Sequence, residues 1–432
     1  MDERTEKFNS FVEYDRINNK GRLVNACDEL EFLLNNPQIN SIFSQHYLTE
    51  LLTYATSFSS FYSSYKNYTC LQDFPILKKQ DLKDNWDRIA VKKYNADEVV
   101  VKYTSGSTGT PFKMIMDKYK HARWIAGNKV LRALDGVKSH EKTMFISANV
   151  ADKNIPMERQ ERDNVYYLDY RYLGEDAFSD LIQRLMSENF KTITAISSVY
   201  EAMARYIISG KAPKWNGKLI AIFAMSELLK DNTRKIIEEY FECPMYSYYA
   251  NEENGAFAIE DGSGNGHLLN TVDYHFEVLK MDSDEPTEDG EVGRLIITDY
   301  FNKAFPIIRY ENGDLVSLKH FKDGRVYITK LMGRVADVLY TTDGTMVDIF
   351  HAISFLEPCQ DIKQFQLVQD DYDKLTWILN TSNHTHEEFI VNESKKLFGE
   401  SVNIEFKYVE EIPKLRSGKT RMTVCNIREK VQ

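Results

Sequence analysis

The order of hydrophobic and polar positions divides the chain into regions of different structure. Residues 1 to about 95 show helical periodicity, with apolar positions grouped as in 30–34 and 47–54 and with few turn-forming residues. We expect a helical lead-in here. From about residue 97, strand-like and helix-like segments alternate, at 144–146, 177–188, 193–196, 199–209, 219–224 and 228–240. This alternation is typical of an α/β layered fold, in which helices cover a largely parallel sheet.

The pattern changes from about residue 267 to strands separated by Asp, Gly and Pro turns, which predicts an antiparallel β subdomain. The remainder predicts strands near 365–369, 375–380 and 402–409 and a helix near 386–398, as expected of a small α+β domain. A polar, turn-prone stretch at 333–337 separates the two patterns. We therefore predict an N-terminal domain over 1–333 and a C-terminal domain over 334–432.

Composition and charge narrow the classes of function. The chain has 432 residues, 43% of them hydrophobic, enough to bury a large core in two or more domains. A net charge of −11 argues against nucleic acid as the main partner. The N-terminus has no apolar leader, and the longest apolar run, 219–225, is too short for a membrane span. Together with five dispersed cysteines, this predicts a reduced cytoplasmic protein without a disulfide framework.

A loop of small residues carries the first candidate chemistry. Residues 103–111 read YTSGSTGTP and lie between a β-branched run at 99–101 and an apolar alternation at 112–116, which predicts a turn between two strands. The glycines let backbone N–H groups converge on an anion, and the hydroxyls add donors without bulk. The composition fits either an ordinary surface loop or a polyphosphate-binding loop formed by Thr104, Ser105, Gly106, Ser107, Thr108 and Gly109.

Three later segments add polar groups that suit a nucleotide. Residues 249–255 follow an aromatic strand-like run and offer a carboxylate for Mg²⁺, which takes one or two carboxylates together with phosphate oxygens. Asp314 follows a glycine turn and can accept both hydroxyls of a ribose, or can simply stabilise the turn. Arg334 supplies a charged fork for a phosphate or ribose, although a surface arginine is the plainer interpretation.

A basic loop at 412–421 stands out in this acidic chain. Its end, Gly418-Lys419-Thr420, resembles a P-loop, but Pro413 occupies the position of the first glycine, which argues against that motif. A mobile lysine in the loop could instead meet charge that develops on a carboxylate–phosphate adduct. A plain basic tail is the alternative.

Taken in order, YTSGSTGTP, YANEENG, RYENGDL, GRVAD and IPKLRSGKTR resemble the core motifs of the adenylate-forming (ANL) superfamily, which includes acyl-CoA ligases and peptide-synthetase adenylation domains. The helical start and the segment 290–310 are most similar to the phenylacetate-CoA ligase branch. Within that branch, YANEENG resembles the CapK-like relatives linked to polysaccharide and secondary-metabolite clusters. The resemblance extends from about residue 97 to 425.

The resemblance implies how a nucleotide would be held. The loop 104–109 would grip the β- and γ-phosphates of ATP, and Asp314 would bind the ribose hydroxyls. Tyr249 would lie against the adenine, with Ser226 and Glu227 on its other side. The fold implied is the ANL fold, with a large layered N-terminal domain and a small mobile α+β C-terminal domain.

The resemblance also implies the charged groups of the reaction. Glu253 would bind Mg²⁺, although Glu252 fits almost as well if the motif shifts by one residue. Arg334 would reach the ribose or a phosphate, and Lys419 would be the catalytic lysine of the C-terminal lid. The hinge position is assigned to Ala336 and the adjacent Asp337.

Some positions depart from the family pattern. Ala250 stands where glycine is common, and Glu252 stands where a serine or threonine usually precedes the metal carboxylate. Glu311 replaces a residue that is commonly basic or polar. None of these changes removes a group on which the first half-reaction depends.

The activity implied is a two-step ligase. A carboxylate attacks the α-phosphate of ATP, pyrophosphate leaves, and the resulting acyl adenylate is transferred to an acceptor, which in close relatives is coenzyme A. An amine or carrier-protein thiol stays open as the acceptor, as does a nucleotide-binding scaffold without activity. The carboxylic acid, aryl or another small acyl, is not legible, and a homodimer is also left open.

Overall fold

A computed structural model describes residues 2–104, 112–147, 155–169, 175–334, 339–347, 355–356, 359, 361–413 and 422–427. The chain divides into two compact units. Unit 1 comprises Met1–Asn312 and Ser317–Lys330, and unit 2 comprises Gly313–Val316 and Leu331–Gln432. The boundary predicted from the sequence, between 333 and 334, lies a few residues beyond this division.

Unit 1 begins with helices whose ends are set by local chemistry. Asp2 caps the first helix by accepting the N–H of Thr5, and Lys20 ends it in the left-handed conformation at φ 59°. Pro37 opens the third helix, where its missing N–H costs nothing. The helices are α1 (Glu3–Asn19), α2 (Arg22–Asn35), α3 (Pro37–Phe58), α4 (Lys79–Asp84) and α5 (Trp86–Ile89).

A β-hairpin and a long helix follow. Strands β1 (Val99–Thr104) and β2 (Phe112–Asp117) pair antiparallel, and the loop predicted between them lies outside the described residues. Asp117 then caps α6 (Lys118–Leu134), because its carboxylate accepts the N–H groups of residues 119 and 120 at 2.9 and 3.0 Å. Helix α6 packs against α2 and against the main sheet.

The main sheet has eleven strands in the order β10-β11-β12-β13-β9-β8-β7-β6-β5-β3-β4. Its parallel part comprises β3 (Thr143–Ser147), β4 (Val165–Asp169), β5 (Thr192–Ile196), β6 (Ala221–Met225) and β7 (Met245–Asn251). The helices that connect these strands are α7 (Met157–Asp163), α8 (Glu175–Ser187), α9 (Ser197–Ile208) and α10 (Asp231–Phe241). On one face of the strands lies a hydrophobic core that they share with α8, α9 and α10.

The strands predicted as an antiparallel β subdomain extend this same sheet. The chain reverses direction between β7 and β8, and the pairs β7–β8, β8–β9, β9–β13 and β10–β11 are antiparallel. These strands are β8 (Gly255–Glu260), β9 (His267–Leu269), β10 (Tyr274–Leu279), β11 (Val292–Asp299), β12 (Tyr310–His320) and β13 (Val326–Arg334). The sheet is therefore parallel at one end and antiparallel at the other.

Unit 2 contains a four-stranded sheet covered by a helix, α11 (Glu387–Phe398). Trp377 is fully buried and donates its indole N–H to Ser394 on α11 at 3.0 Å. A separate pair of short strands, β14 (Leu339–Tyr340) and β15 (Met346–Val347), precedes the sheet. The sheet strands are β16 (Gln364–Asp371), β17 (Lys374–Asn380), β18 (Asn403–Tyr408) and β19 (Thr423–Cys425).

The observed architecture is the predicted mixed α/β fold, with a large N-terminal unit and a smaller α+β C-terminal unit. Among the residues described, no helix combines the length and the apolar character that crossing a bilayer would require.

Candidate active site

The predicted adenine-binding residues lie at one edge of the main sheet. Strands β6 and β7 are parallel neighbours, with Met225 opposite Tyr248, so the segments that follow them emerge at the same carboxyl edge. Ser226 and Glu227 come directly after β6, and Tyr249 is two residues before the end of β7. Their placement side by side results from the parallel register, and ligands of α/β sheets commonly bind at such an edge.

The conformation of the Ser226–Glu227 turn is defined by a strained backbone and by hydrogen bonds to the start of helix α9. Ser226 has φ 68°, in the left-handed region that a serine seldom adopts. The Glu227 carboxylate accepts the N–H of Ser198 at 2.9 Å, and its carbonyl accepts the Ser197 hydroxyl at 2.9 Å. Because the residue before α9 gives no side-chain cap, Glu227 satisfies an N–H at the start of that helix. The turn thus has a defined shape.

Tyr249 is held from two sides. Its ring centre lies 5.3 Å from that of Phe257 on the neighbouring strand, and its hydroxyl accepts a hydrogen bond from Asn312 at 2.7 Å. The pairing with β8 shifts register between Tyr249 and Ala250, which is the mark of a β-bulge. A bulge next to a site re-aims a side chain, so the ring orientation here is set by the backbone.

Glu252 and Glu253 are distinguished by burial. Glu252 is exposed, whereas Glu253 is buried and forms an ion pair with Lys79 on α4, with 3.0 Å between Nζ and Oε1. The Tyr310 hydroxyl lies 3.5 Å from the same oxygen. Sequence reasoning did not identify Lys79, because the contact joins residues far apart in the chain and no motif surrounds this lysine.

The side chains around Glu253 offer few ligands for magnesium. Within the described part of the chain, no group of three or more His, Cys, Asp or Glu side chains could hold a metal by itself. A single carboxylate completed by phosphate oxygens and water is nevertheless a ligand set that Mg²⁺ accepts. Glu253 fits that role, with Lys79 as the cation that balances its charge in this structure.

Buried charges support the turn that contains Glu253. Tyr274 donates its hydroxyl hydrogen to the carbonyl of Asn254 at 2.6 Å and accepts a hydrogen bond from Lys120 at 3.1 Å. Lys120 also pairs with Asp299 at 2.7 Å, and both side chains are fully buried. Burial raises the pKa of Asp299, although Lys120 acts in the opposite direction. The network ties α6 to β10, β11 and the 249–255 segment.

Gly255 completes the turn because only glycine fits there. It has φ 117°, and a Cβ at this position would lie 2.6 Å from Cδ1 of Trp124. The indole of Trp124 therefore lies directly against the backbone of the turn. Nζ of Lys102 lies 4.0 Å from the centre of the Trp124 ring, a cation–π distance.

Other predicted residues cannot be placed against this edge. Asp314 is a half-buried residue of β12 and belongs to unit 2. Thr104 and Arg334 end β1 and β13, and the structure does not describe their side chains. Five of the six predicted phosphate-loop residues, both hinge residues and the lysine lie outside the described residues: Ser105, Gly106, Ser107, Thr108, Gly109, Ala336, Asp337 and Lys419.

Known proteins match both the C-terminal part of the chain and most of its length. Residues 339–426 match the family model of the CapK C-terminal domain. The chain is 27% identical to protein CapK of Staphylococcus aureus over 379 residues, which is 83% of this chain and 81% of the relative. It superimposes on a crystal structure of 2-hydroxyisobutyryl-CoA ligase in the postadenylation state with TM-score 0.69 and 15% identity, covering 90% of this chain and 89% of the ligase. The chain is similar in sequence to CapK and shares the fold of this ligase.

A second solved structure extends the comparison. O-Succinylbenzoate coenzyme A synthetase from Bacillus subtilis, in complex with ATP and magnesium ion, matches the CapK-like chain with TM-score 0.54 and 14% identity. The match covers 74% of this chain and 68% of the synthetase. At such identities the likeness shows the shared fold. The comparisons therefore confirm two parts of the resemblance inferred from the five motifs, the fold and the similarity to CapK.

Proposed function

We propose that the CapK-like chain activates a carboxylic acid with ATP, releasing pyrophosphate and forming an acyl adenylate, and then transfers the acyl group to an acceptor. Coenzyme A is the first candidate acceptor. The observation that carries the proposal is the sheet edge at which Tyr249 and the Ser226–Glu227 turn emerge beside buried Glu253. The ligase and synthetase to which the chain is similar carry an adenylate, or ATP with magnesium, in their structures, which supports the proposal.

The chain's own residues would bind and orient the nucleotide. Tyr249 would offer its ring to the adenine while its hydroxyl stays bonded to Asn312. Glu253 would hold a magnesium ion, which when bound neutralises phosphate charge and orients the triphosphate. Positioning of the acid in line with the α-phosphate supplies much of the acceleration in phosphoryl and nucleotidyl transfer.

The C-terminal lysine is proposed to supply positive charge during activation. Lys419 would donate to the oxygens that gain charge as the acid attacks the α-phosphate. Arg334 is proposed to contact the ribose or a phosphate, and the segment around Ala336 and Asp337 is proposed as the hinge. Movement about this hinge would remove Lys419 and admit the acceptor.

The decisive experiment measures carboxylate-dependent ATP–pyrophosphate exchange over a panel of acids. Lys419→Ala should abolish exchange and leave ATP binding largely intact. Glu253→Gln should lower exchange by roughly a hundredfold, because it removes charge that acts on the phosphates. Glu252→Gln is the matched control, since this glutamate is exposed, and should stay near the wild-type rate.

The outcome that would defeat the assignment is exchange at the wild-type rate in Lys419→Ala. Absence of exchange with every acid, while ATP still binds, would favour the nucleotide-binding scaffold instead. For the acceptor, thioester formation with coenzyme A is compared with amide formation by a panel of amines. If the adenylate is consumed as fast without coenzyme A as with it, a thioester is rejected as the product.

A further inference from the structure

One face of α6 forms a polar wall above the parallel strands of unit 1. Trp124, Asn128 and Arg132 follow one another at helical spacing and share this face. Asn128 accepts a hydrogen bond from the Tyr248 hydroxyl at 2.6 Å and donates to the carbonyl of Trp124 at 2.7 Å. The guanidinium carbon of Arg132 lies 5.3 Å from the ring centre of Phe223. The wall therefore faces β6 and β7.

The strands opposite this wall present side chains in a continuous row. Tyr167 is the partner of Phe145, Phe145 of Thr194, and Thr194 of Phe223, so these residues of β4, β3, β5 and β6 share one face. The Thr194 side chain is fully buried, and its hydroxyl has no hydrogen-bond partner among the described residues. Thr192, two residues earlier on the same face, is equally buried, and no described group bonds to its hydroxyl either. Buried hydroxyls usually have partners, so this row offers unused donors.

Within the part of the chain that the structure describes, Arg132 is a cation without an acidic partner. Among the described residues no carboxylate lies within ion-pair distance of it, and its buried Nε has no hydrogen-bond acceptor. By contrast Arg123, on the same helix, pairs with Asp273 and Glu29, each at 2.6 Å. Burial lowers the pKa of Arg132, yet an arginine stays protonated at neutral pH.

The combination suits an anionic ligand. Arg132 is half-buried, and desolvation disfavours its charge. Leaving such a cation unpaired is costly, and a bidentate carboxylate is the acceptor that best fits a guanidinium fork. On the same face of α6, Trp124 lies against the turn that contains Glu253.

We propose that Arg132 binds a second acidic group on the carboxylic acid substrate, so that the enzyme activates dicarboxylic acids. This inference rests on the proposed function. The Arg132 guanidinium lies near the rings of both Phe223 and Tyr248. Measured along the strands, this position is about three residues from the carboxyl edge of the sheet, or roughly 10 Å at the rise of a strand. One carboxylate would bond to the guanidinium and the other would lie at the sheet edge, and a hydrogen bond at each end takes up part of this distance. The remaining length suits two carboxylates joined by roughly three or four carbon atoms.

Direct binding tests the inference independently of catalysis. Titration calorimetry would compare glutarate and adipate with pentanoate and hexanoate, in the presence of a non-hydrolysable ATP analogue. The wild type should bind the diacids at least about a hundredfold more tightly, because a monoacid leaves the guanidinium unpaired. Arg132→Met should remove this preference without weakening the monoacids, and Arg132→Lys should retain part of it.

Arg205→Met is the matched control, since Arg205 is an exposed arginine on α9, and it should keep the full preference. Equal or tighter binding of the monoacids by the wild type would overturn the inference, as would a full diacid preference in Arg132→Met. If that variant does not fold, the wild-type ratio and Arg132→Lys decide. Diacid binding without pyrophosphate exchange would retain this inference and reject adenylation, whereas exchange with monoacids alone would do the reverse.

Discussion

The Lys79–Glu253 ion pair permits a quantitative test of the site. At 3.0 Å and an effective dielectric constant of about 20, two unit charges attract with roughly 5–6 kcal/mol. Two effects oppose this attraction: desolvation of Glu253, whose side chain is 7% exposed, and solvent screening of Lys79, which is 30% exposed. We therefore expect a net coupling of about 1–3 kcal/mol in the free energy of unfolding.

A double-mutant cycle measures this coupling. Urea unfolding would be followed for the wild type, Lys79→Met, Glu253→Gln and the double variant, because these substitutions keep side-chain length and shape while removing charge. The matched control is the pair Lys235 and Glu239 on α10, which are 4.0 Å apart and 71% and 68% exposed.

For the control pair we expect at most about 0.5 kcal/mol, as for other exposed helix pairs. A coupling for Lys79 and Glu253 no larger than that of the control would refute the view that Lys79 balances a buried charge. The same variants would then be assayed for the magnesium dependence of ATP binding. Since Lys79 competes for the Glu253 carboxylate, Lys79→Met should shift half-saturation to lower magnesium concentration.

Three further predictions concern backbone, pH and ribose. Gly255→Ala should destabilise by about 2–4 kcal/mol in urea unfolding, since its Cβ would strike an indole at φ 117°, whereas Gly264→Ala, at φ 76° in open space, should lose only about 1 kcal/mol. Burial lowers the pKa of His140 to about 2, so the unfolded chain binds the proton first. His140 should therefore contribute a loss of stability of up to about 1.4 kcal/mol per pH unit as the pH drops below about 6.5. In unfolding at pH 7.5 and 5, His140→Asn, which tolerates φ 67°, should remove this contribution, whereas those of His121, His267 and His275, whose pKa values burial also lowers, should persist. Asp314→Ala should weaken ATP binding in calorimetry, and an unchanged affinity would exclude this carboxylate from the ribose site.

Sequence periodicity located elements whose signal is local. The helix expected at 199–209 spans Ser197–Ile208, and that expected at 228–240 spans Asp231–Phe241. The small differences at the ends reflect caps that involve distant residues: Glu227, not a neighbour in sequence, satisfies the start of the first helix. Strand pairing is also non-local, which is why the strands after residue 267 were expected to form a subdomain and instead extend the main sheet.

The candidate site shows the same limit. The motif YANEENG predicts a carboxylate for Mg²⁺ but does not choose between adjacent glutamates, because their burial depends on how the chain turns between β7 and β8. Lys79 and Arg132 carry no motif at all. Each became significant only through what surrounds it, a carboxylate in the first case and unpartnered hydroxyls in the second.

Helix α6 is anchored near its start by two buried ion pairs, Lys120 with Asp299 and Arg123 with Asp273. Such an anchor should make its amides among the slowest to exchange with deuterated solvent. A helix this rigid cannot move to fit substrates of different shape. Relatives that accept other acids are therefore expected to differ by individual replacements along α6, with the helix axis itself in the same place.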